Sequence, residues 1–169
     1  MGRFTRTVLT AAVVAAAAGP VLATGGAPTT APAAASSGAT TLPFLQVLRR
    51  CDFSERQYVG ATGYGRGSAL VGRQGGDVVA DVVFNTGRPN TAYEVKLIQM
   101  PRSSADPCPA GAPGVAGTWV VTDAAGAAAV VLRGPVMQGA TGAWLSMTRP
   151  SQFSQLPAEF YTSGFVAAL

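Results

Sequence analysis

"TGRPNTAYEVKLIQ", residues 86–99, sets the period on which the rest of the chain can be read. A loop containing Gly87, Pro89 and Asn90 delivers the backbone to Tyr93, after which apolar and polar residues alternate. Tyr93, Val95 and Leu97 fall on one side, Glu94 and Lys96 on the other. A period of two places successive side chains on opposite faces of a pleated strand, so this is a half-buried β-strand. Tyr93 then points inward where a loop enters the sheet. Its hydroxyl is expected to bond to nearby backbone and pin the corner.

The same period recurs on both sides of that corner. "DVVADVVF" (residues 77–84) puts Val78, Ala80, Val82 and Phe84 on one face and Val79, Asp81 and Val83 on the other, which suits a central strand. "TWVVT" (118–122) is another strand, with Trp119 in phase with Val121 and expected in the core. Asp123-Ala124-Ala125-Gly126 reads as its turn, because Gly126 takes a positive φ without penalty. "AAAVVLR" (127–133) returns the chain. "GAWLSMTR" (142–149) and "EFYTSGFVAAL" (159–169) add further strands, and "RQYVGATGYG" (56–65) with "RGSALVG" (66–72) supplies one or two more. If Leu145 and Met147 face the core, Trp144 faces outward with Ser146 and Thr148. Only "PFLQVLRR" (43–50) offers a helical turn, with Phe44, Leu45, Val47 and Leu48 sharing a face.

About seven or eight strands at turn-punctuated spacings describe an all-β fold. The expectation is a single antiparallel β-sandwich, immunoglobulin-like or a related Greek key. A parallel sheet needs crossover helices, and the alanine-rich stretch at 124–129 is too short to be one.

The N-terminal part has a different composition. Arg3 and Arg6 precede an Ala/Val run at 8–18, which Gly19-Pro20 interrupts before Val21-Leu22-Ala23. A basic start, an apolar middle and a small-residue exit are the three parts of a secretory signal peptide, assigned to residues 1–23 with cleavage at or near Ala23. The apolar run falls short of the ~20 residues that a spanning helix needs. With no Cys near the cleavage region and no twin arginine, export through the general secretory pathway is expected, to the cell envelope or the extracellular space. Residues 24–42 are Gly, Ala, Pro, Ser, Thr and Leu without a charge. They read as a flexible linker ahead of a domain at 43–169, because such a segment buries too little apolar surface to offset its ordering entropy. Its Ser and Thr residues suit O-linked sugar.

The two cysteines, Cys51 and Cys108, both belong to the domain. In an exported protein an even pair reads as a disulfide, and a Cys-x-x-Cys redox spacing is absent. The net charge of +4 drops to about +2 once Arg3 and Arg6 leave with the signal. Lys96 is the single lysine and the arginines are scattered, whereas nucleic-acid binders cluster positive charge on one face.

Histidine is missing altogether. That excludes Ser-His-Asp and Cys-His catalysis and imidazole-based zinc or copper sites. Carboxylates are few and dispersed. Asp81 and Glu94, placed on strands expected to be adjacent, are the pair from which a glycosidase could be built. "GATGYGRG" (60–67) has the glycines of a phosphate loop but neither its Lys-Ser/Thr ending nor a following helix. It reads as a bend between edge strands, with Tyr64 and Arg66 as binding candidates. An outward Trp144 is the third, since an exposed indole can stack on a sugar or enter lipid.

Two resemblances add to this reading. "GRPNTAYEVKLIQ" resembles the tyrosine corner of fibronectin type III domains, with Pro89, Thr91, Tyr93 and Val95 at the matching positions. The resemblance implies a Tyr93 hydroxyl bonded back to the corner backbone, although about four strands follow that corner where the family has one. The whole domain resembles a group of small exported proteins of mycobacteria and related actinobacteria. The shared features are "RRCDFS" (49–54), "PNTAYEVKLIQ" (89–99), "TDAAG" (122–126), "AWLSMTRP" (143–150) and "EFYTSGFVAAL" (159–169). That resemblance implies secretion and a β fold and carries no catalytic residue across.

The residues thus point to a secreted or cell-envelope binding or structural module rather than an enzyme, without a cofactor or metal. Envelope glycan, lipid or another exported protein is the expected partner, and nucleic acid is not. Two alternatives stand beside it: a carrier of lipid or glycolipid in an inter-sheet pocket, and a carboxylate hydrolase acting on glycans.

Overall fold

A computed structural model describes residues 38–57, 59–60 and 62–169. The expected signal peptide and most of the expected linker lie outside the described residues. Nine strands follow one another among them: β1 (Thr40–Leu45), β2 (Arg66–Gln74), β3 (Asp77–Asn85), β4 (Ala92–Met100), β5 (Val115–Val121), β6 (Ala128–Pro135), β7 (Gly142–Arg149), β8 (Glu159–Ser163) and β9 (Ala167–Ala168). Every strand pairing is antiparallel, and the described residues contain no helix.

The strands run β5-β4-β7-β8-β1-β2-β3-β6 across the sheet, with β9 added to β7. β1 is the joint. Residues 40–43 pair with β2, whereas Phe44 and Leu45 pair with β8, so one strand passes from one half of the sheet to the other. The two ends of the path, β5 and β6, come alongside each other without registered pairing. The result is one antiparallel sheet that curls almost into a closed barrel.

Alternation decides what fills it. Val78, Ala80, Val82 and Phe84 from β3 meet Tyr93, Val95 and Leu97 from β4, all 3% exposed or less. Leu145 and Met147 from β7, Tyr161 from β8, and Leu42 and Val71 from β1 and β2 complete the same core. Burying each aliphatic or aromatic side chain is worth ~1.5–3 kcal/mol, so this face carries most of the stability.

A second, smaller cluster lies on the opposite face of β4 and β7, where Ile98 and Trp144 pack with Val115 under Phe53 and Cys108. The disulfide Cys51–Cys108 is formed and ties the loop after β1 to the loop after β4 above this cluster.

Three expectations change. The stretch 43–50 makes no helical turn. Leu42 and Phe44 follow the period of a strand, and both pack into the main core. β1 therefore begins at Thr40, three residues before the expected domain boundary. Trp119 and Val121 are not core residues but are 57% and 63% exposed. β5 is apolar in both phases, and its inward phase is Ala116 and Val120. Trp119 lies opposite Glu94, on the outer side. The region 56–72, expected to supply one or two strands, supplies one, from Arg66 onward.

Candidate functional site

Glu159 opens β8 and lies opposite Arg149 of β7. Two residues on, Tyr161 shares its face, as the pleat requires. The carboxylate is 3% exposed, and four donors hold it. Arg88 Nε stands 2.8 Å from Oε1 and an Arg149 terminal nitrogen 3.1 Å from the same oxygen. Tyr93 donates its hydroxyl proton to Oε2 at 2.6 Å, and Tyr161 does so at 3.3 Å.

Each phenol oxygen also accepts a backbone N–H, from Arg88 to Tyr93 at 3.3 Å and from Gly65 to Tyr161 at 3.0 Å. The corner bond expected of Tyr93 is therefore present, five residues upstream. The bond to Glu159 comes in addition. Phe84, Tyr93 and Tyr161 pack edge-on or tilted with ring centroids 4.9–6.3 Å apart, closing the underside.

Two of the glycines at 60–67, Gly63 and Gly65, now have a physical reason. A side chain at Gly65 would place its first carbon 2.1 Å from the Phe84 ring, and one at Gly63 would meet the Tyr161 hydroxyl at 2.2 Å. Gly63 also has φ +95°, which L side chains rarely adopt. Only glycine lets this backbone lie against the aromatic rings. The neighbouring loop is fixed to it by Thr86, whose hydroxyl donates to the Tyr64 carbonyl at 3.1 Å. Across the corner, Thr91 N–H donates to the Thr122 hydroxyl at 2.9 Å.

Above the carboxylate lies a cleft of about 600 Å³, lined by Tyr64, Thr86, Arg88, Arg149 and Glu159 among others. Tyr64 is 90% exposed at its rim. Arg88 is bonded through Nε, and its side chain is 68% exposed. Arg149 Nε is buried without a partner. Two guanidiniums against one carboxylate leave one positive charge over.

Burial pushes the Tyr93 hydroxyl well above its ordinary range, and the bond to Glu159 pushes the same way. Tyr161 is raised as well, again chiefly by burial, with the Gly65 N–H opposing. Both phenols therefore stay protonated donors at neutral pH. Both Glu159 oxygens are occupied by donors, and the two arginines bring cationic N–H groups to the cleft.

The sequence candidates separate here. Tyr64 stands on the cleft. Arg66 is exposed at the start of β2, opposite Asn85, and does not line it. Trp144 does face away from the main core, but it is 1% exposed, with Phe53 edge-on at 5.4 Å. Asp81 and Glu94 sit on β3 and β4, which belong to different halves of the sheet and do not pair. Among the described residues no three His, Cys, Asp or Glu side chains stand together as a metal site would require.

Sequence reasoning missed Glu159, Arg88 and Arg149. The first had a signal: a carboxylate in phase with Tyr161, next to Phe160, at the start of a strand. Arg88 lay inside the quoted corner, whereas Arg149 needed the β7–β8 register. Comparison with protein-family models, curated proteins and solved structures yields no match.

Proposed function

We propose that the protein is an exported, non-catalytic binding module whose Arg88–Arg149 cleft holds the anionic group of an extracellular ligand. The observation that carries this reading is the surplus charge: two arginines share one buried carboxylate, and one of them remains largely exposed. A guanidinium fixed through Nε is pre-oriented, so less freedom is lost when its remaining N–H groups meet a carboxylate or phosphate. Tyr64 at the rim adds a ring for stacking, which favours an acidic sugar of the cell envelope over a bare ion. The disulfide fits an oxidising compartment and supports export. In the same reading the two half-sheets joined by β1 act as the layers of a β-sandwich, a rigid scaffold for loops that bind.

The test is calorimetric titration with glucuronate and with glucose. Glucuronate is expected to bind, more weakly as salt rises, and Arg88→Ala is expected to lower its affinity at least tenfold. Equal binding of glucose, or an unchanged affinity in Arg88→Ala, would sink the reading.

A further inference from the structure

The turn between β5 and β6, "TDAAGA" at 122–127, lies against the corner loop at 86–91 that carries Arg88. Backbone fastens the two together. The Gly87 N–H donates to the Gly126 carbonyl at 2.9 Å, and the Asn90 N–H to the Asp123 carbonyl at 3.1 Å. Asp123 keeps the turn in shape, because its carboxylate accepts the Ala125 and Ala127 N–H groups at 2.8 and 2.9 Å. These ties hold the loop on both sides of Arg88 without touching Arg88 itself.

Thr122, 2% exposed, does touch it. The Thr122 hydroxyl accepts the Thr91 N–H at 2.9 Å. It has one proton to give and two carbonyls in reach, those of Arg88 and Thr91. The Thr91 carbonyl is 3.3 Å away and already takes the Thr122 N–H at 3.0 Å. The proton therefore goes to the nearer Arg88 carbonyl. At the other side of the residue, the Arg88 N–H donates to the Tyr93 hydroxyl at 3.3 Å. Both backbone groups of Arg88 are thus held by side-chain hydroxyls. Pro89 follows directly, and the residue before a proline is confined to extended backbone.

We propose that Thr122 is a positioning residue for the ligand-facing Arg88, its hydroxyl fixing the backbone from which the guanidinium reaches Glu159 and the cleft. The bearing on binding rests on the reading of the cleft given above, whereas the geometry stands without it. The Arg88 side chain is 68% exposed and bonded through Nε to Glu159 at 2.8 Å. A long side chain tied near its tip keeps one direction only when its Cα is fixed as well. Freedom removed before a ligand arrives is not lost on binding, so the hydroxyl contributes affinity from outside the cleft.

Thr122→Val keeps the shape and deletes the hydroxyl, and Thr122→Ser restores it. In the ¹⁵N-labelled protein the Arg88 Nε–H gives a side-chain resonance, assigned by its loss in Arg88→Ala. Thr122→Val is expected to move that resonance toward the position of exposed arginines, and Thr122→Ser to leave it in place. Glucuronate affinity is expected to fall about fivefold in Thr122→Val, the worth of one hydrogen bond, and to recover in Thr122→Ser. In an Arg88→Ala background, Thr122→Val is expected to change the residual affinity by less than about twofold, as coupled residues require. If Thr122→Val does not fold, Thr122→Ala, which sets no methyl against the Arg88 carbonyl, is read in the same way. An Arg88 resonance that stays put, or an affinity loss of the same size with and without Arg88, overturns the proposal. If the unmodified protein binds no glucuronate, the reading of the cleft falls instead, and the resonance still decides whether Thr122 positions Arg88.

Discussion

Tyr161 and Trp144, on adjacent strands, mark two buried regions that are built on different principles. Around Tyr161 and Glu159, inside the curled sheet, both carboxylate oxygens and both phenols have partners, and the aromatic rings belong to the main core. Around Trp144, on the outer face, three buried side chains support a small satellite cluster, and two donors beside it lack acceptors. The inner region is held by packing and charge-assisted hydrogen bonds. The outer one has too few apolar groups to order the loops above it, and a covalent link takes over that task. Where the core is large, the carboxylate and the phenols can be built in with every oxygen paired, and Arg149 Nε alone goes without a partner there. Where it is small, the chain relies on a cross-link.

The sharpest way to break this contrast is to remove the link. Cys51→Ala with Cys108→Ala opens a 57-residue loop, for which chain entropy gives a loss of about 4 kcal/mol. Denaturant unfolding would measure it. In a Trp119→Phe background, indole emission should shift to the red as the Trp144 cap loosens, while the near-ultraviolet tyrosine signal persists. A Trp144 that stays buried without the disulfide would show the outer cluster to be self-supporting.

Glu159→Gln tests the inner region in the same way. The amide keeps the shape but leaves Arg149 and Arg88 facing each other without a counter-charge. Breaking a buried pair costs ~3–5 kcal/mol, and the partial exposure of both arginines puts the expected loss at the lower end, about 3 kcal/mol. A loss below 1 kcal/mol would mean that the network contributes specificity and little stability.

Tyr93→Phe comes next. As a corner bond alone it would cost about 1 kcal/mol. Because the hydroxyl also donates to a carboxylate and serves the Arg88 N–H, about 2 kcal/mol is expected. The same residue predicts an alkaline limit. The native state holds the Tyr93 and Tyr161 protons above the ordinary value of about 10, where the unfolded chain releases them. Stability should therefore be complete below pH ~10 and fall as pH rises beyond it. Tyr93→Phe should flatten that fall, as read by melting temperature against pH. An unchanged slope would exclude Tyr93 as its source.

Much of this architecture was legible in the sequence, for a physical reason: a period of two shows wherever one strand face is much more apolar than the other. Residues 93–97 gave their inward face directly, and 77–84 gave the strand and its two faces. β5 did not, because Trp119, Val120 and Val121 are apolar in both phases, and pairing rather than periodicity decides which side is wet. The two tryptophans consequently have reversed burial: Trp119 is exposed, and Trp144 is covered by a loop about 90 residues away in sequence. The site was half legible. Tyr93 and Tyr64 stand in recognisable local patterns, but Glu159 meets Arg88 only through tertiary folding, 71 residues apart. Local patterns cannot carry that information.

Arg88→Ala is the smallest expected effect on stability and the largest on binding, and that opposition gives it its use. The Arg88 side chain is 68% exposed, so its pair with Glu159 is screened by water and worth less than about 1 kcal/mol. Glu159 retains Arg149 and both tyrosines, so the network should survive. Loss of glucuronate binding with an almost unchanged unfolding midpoint would separate the ligand-facing arginine from the structural one. Loss of both would make Arg88 part of the scaffold, and the cleft would then be a by-product of how the corner is fastened.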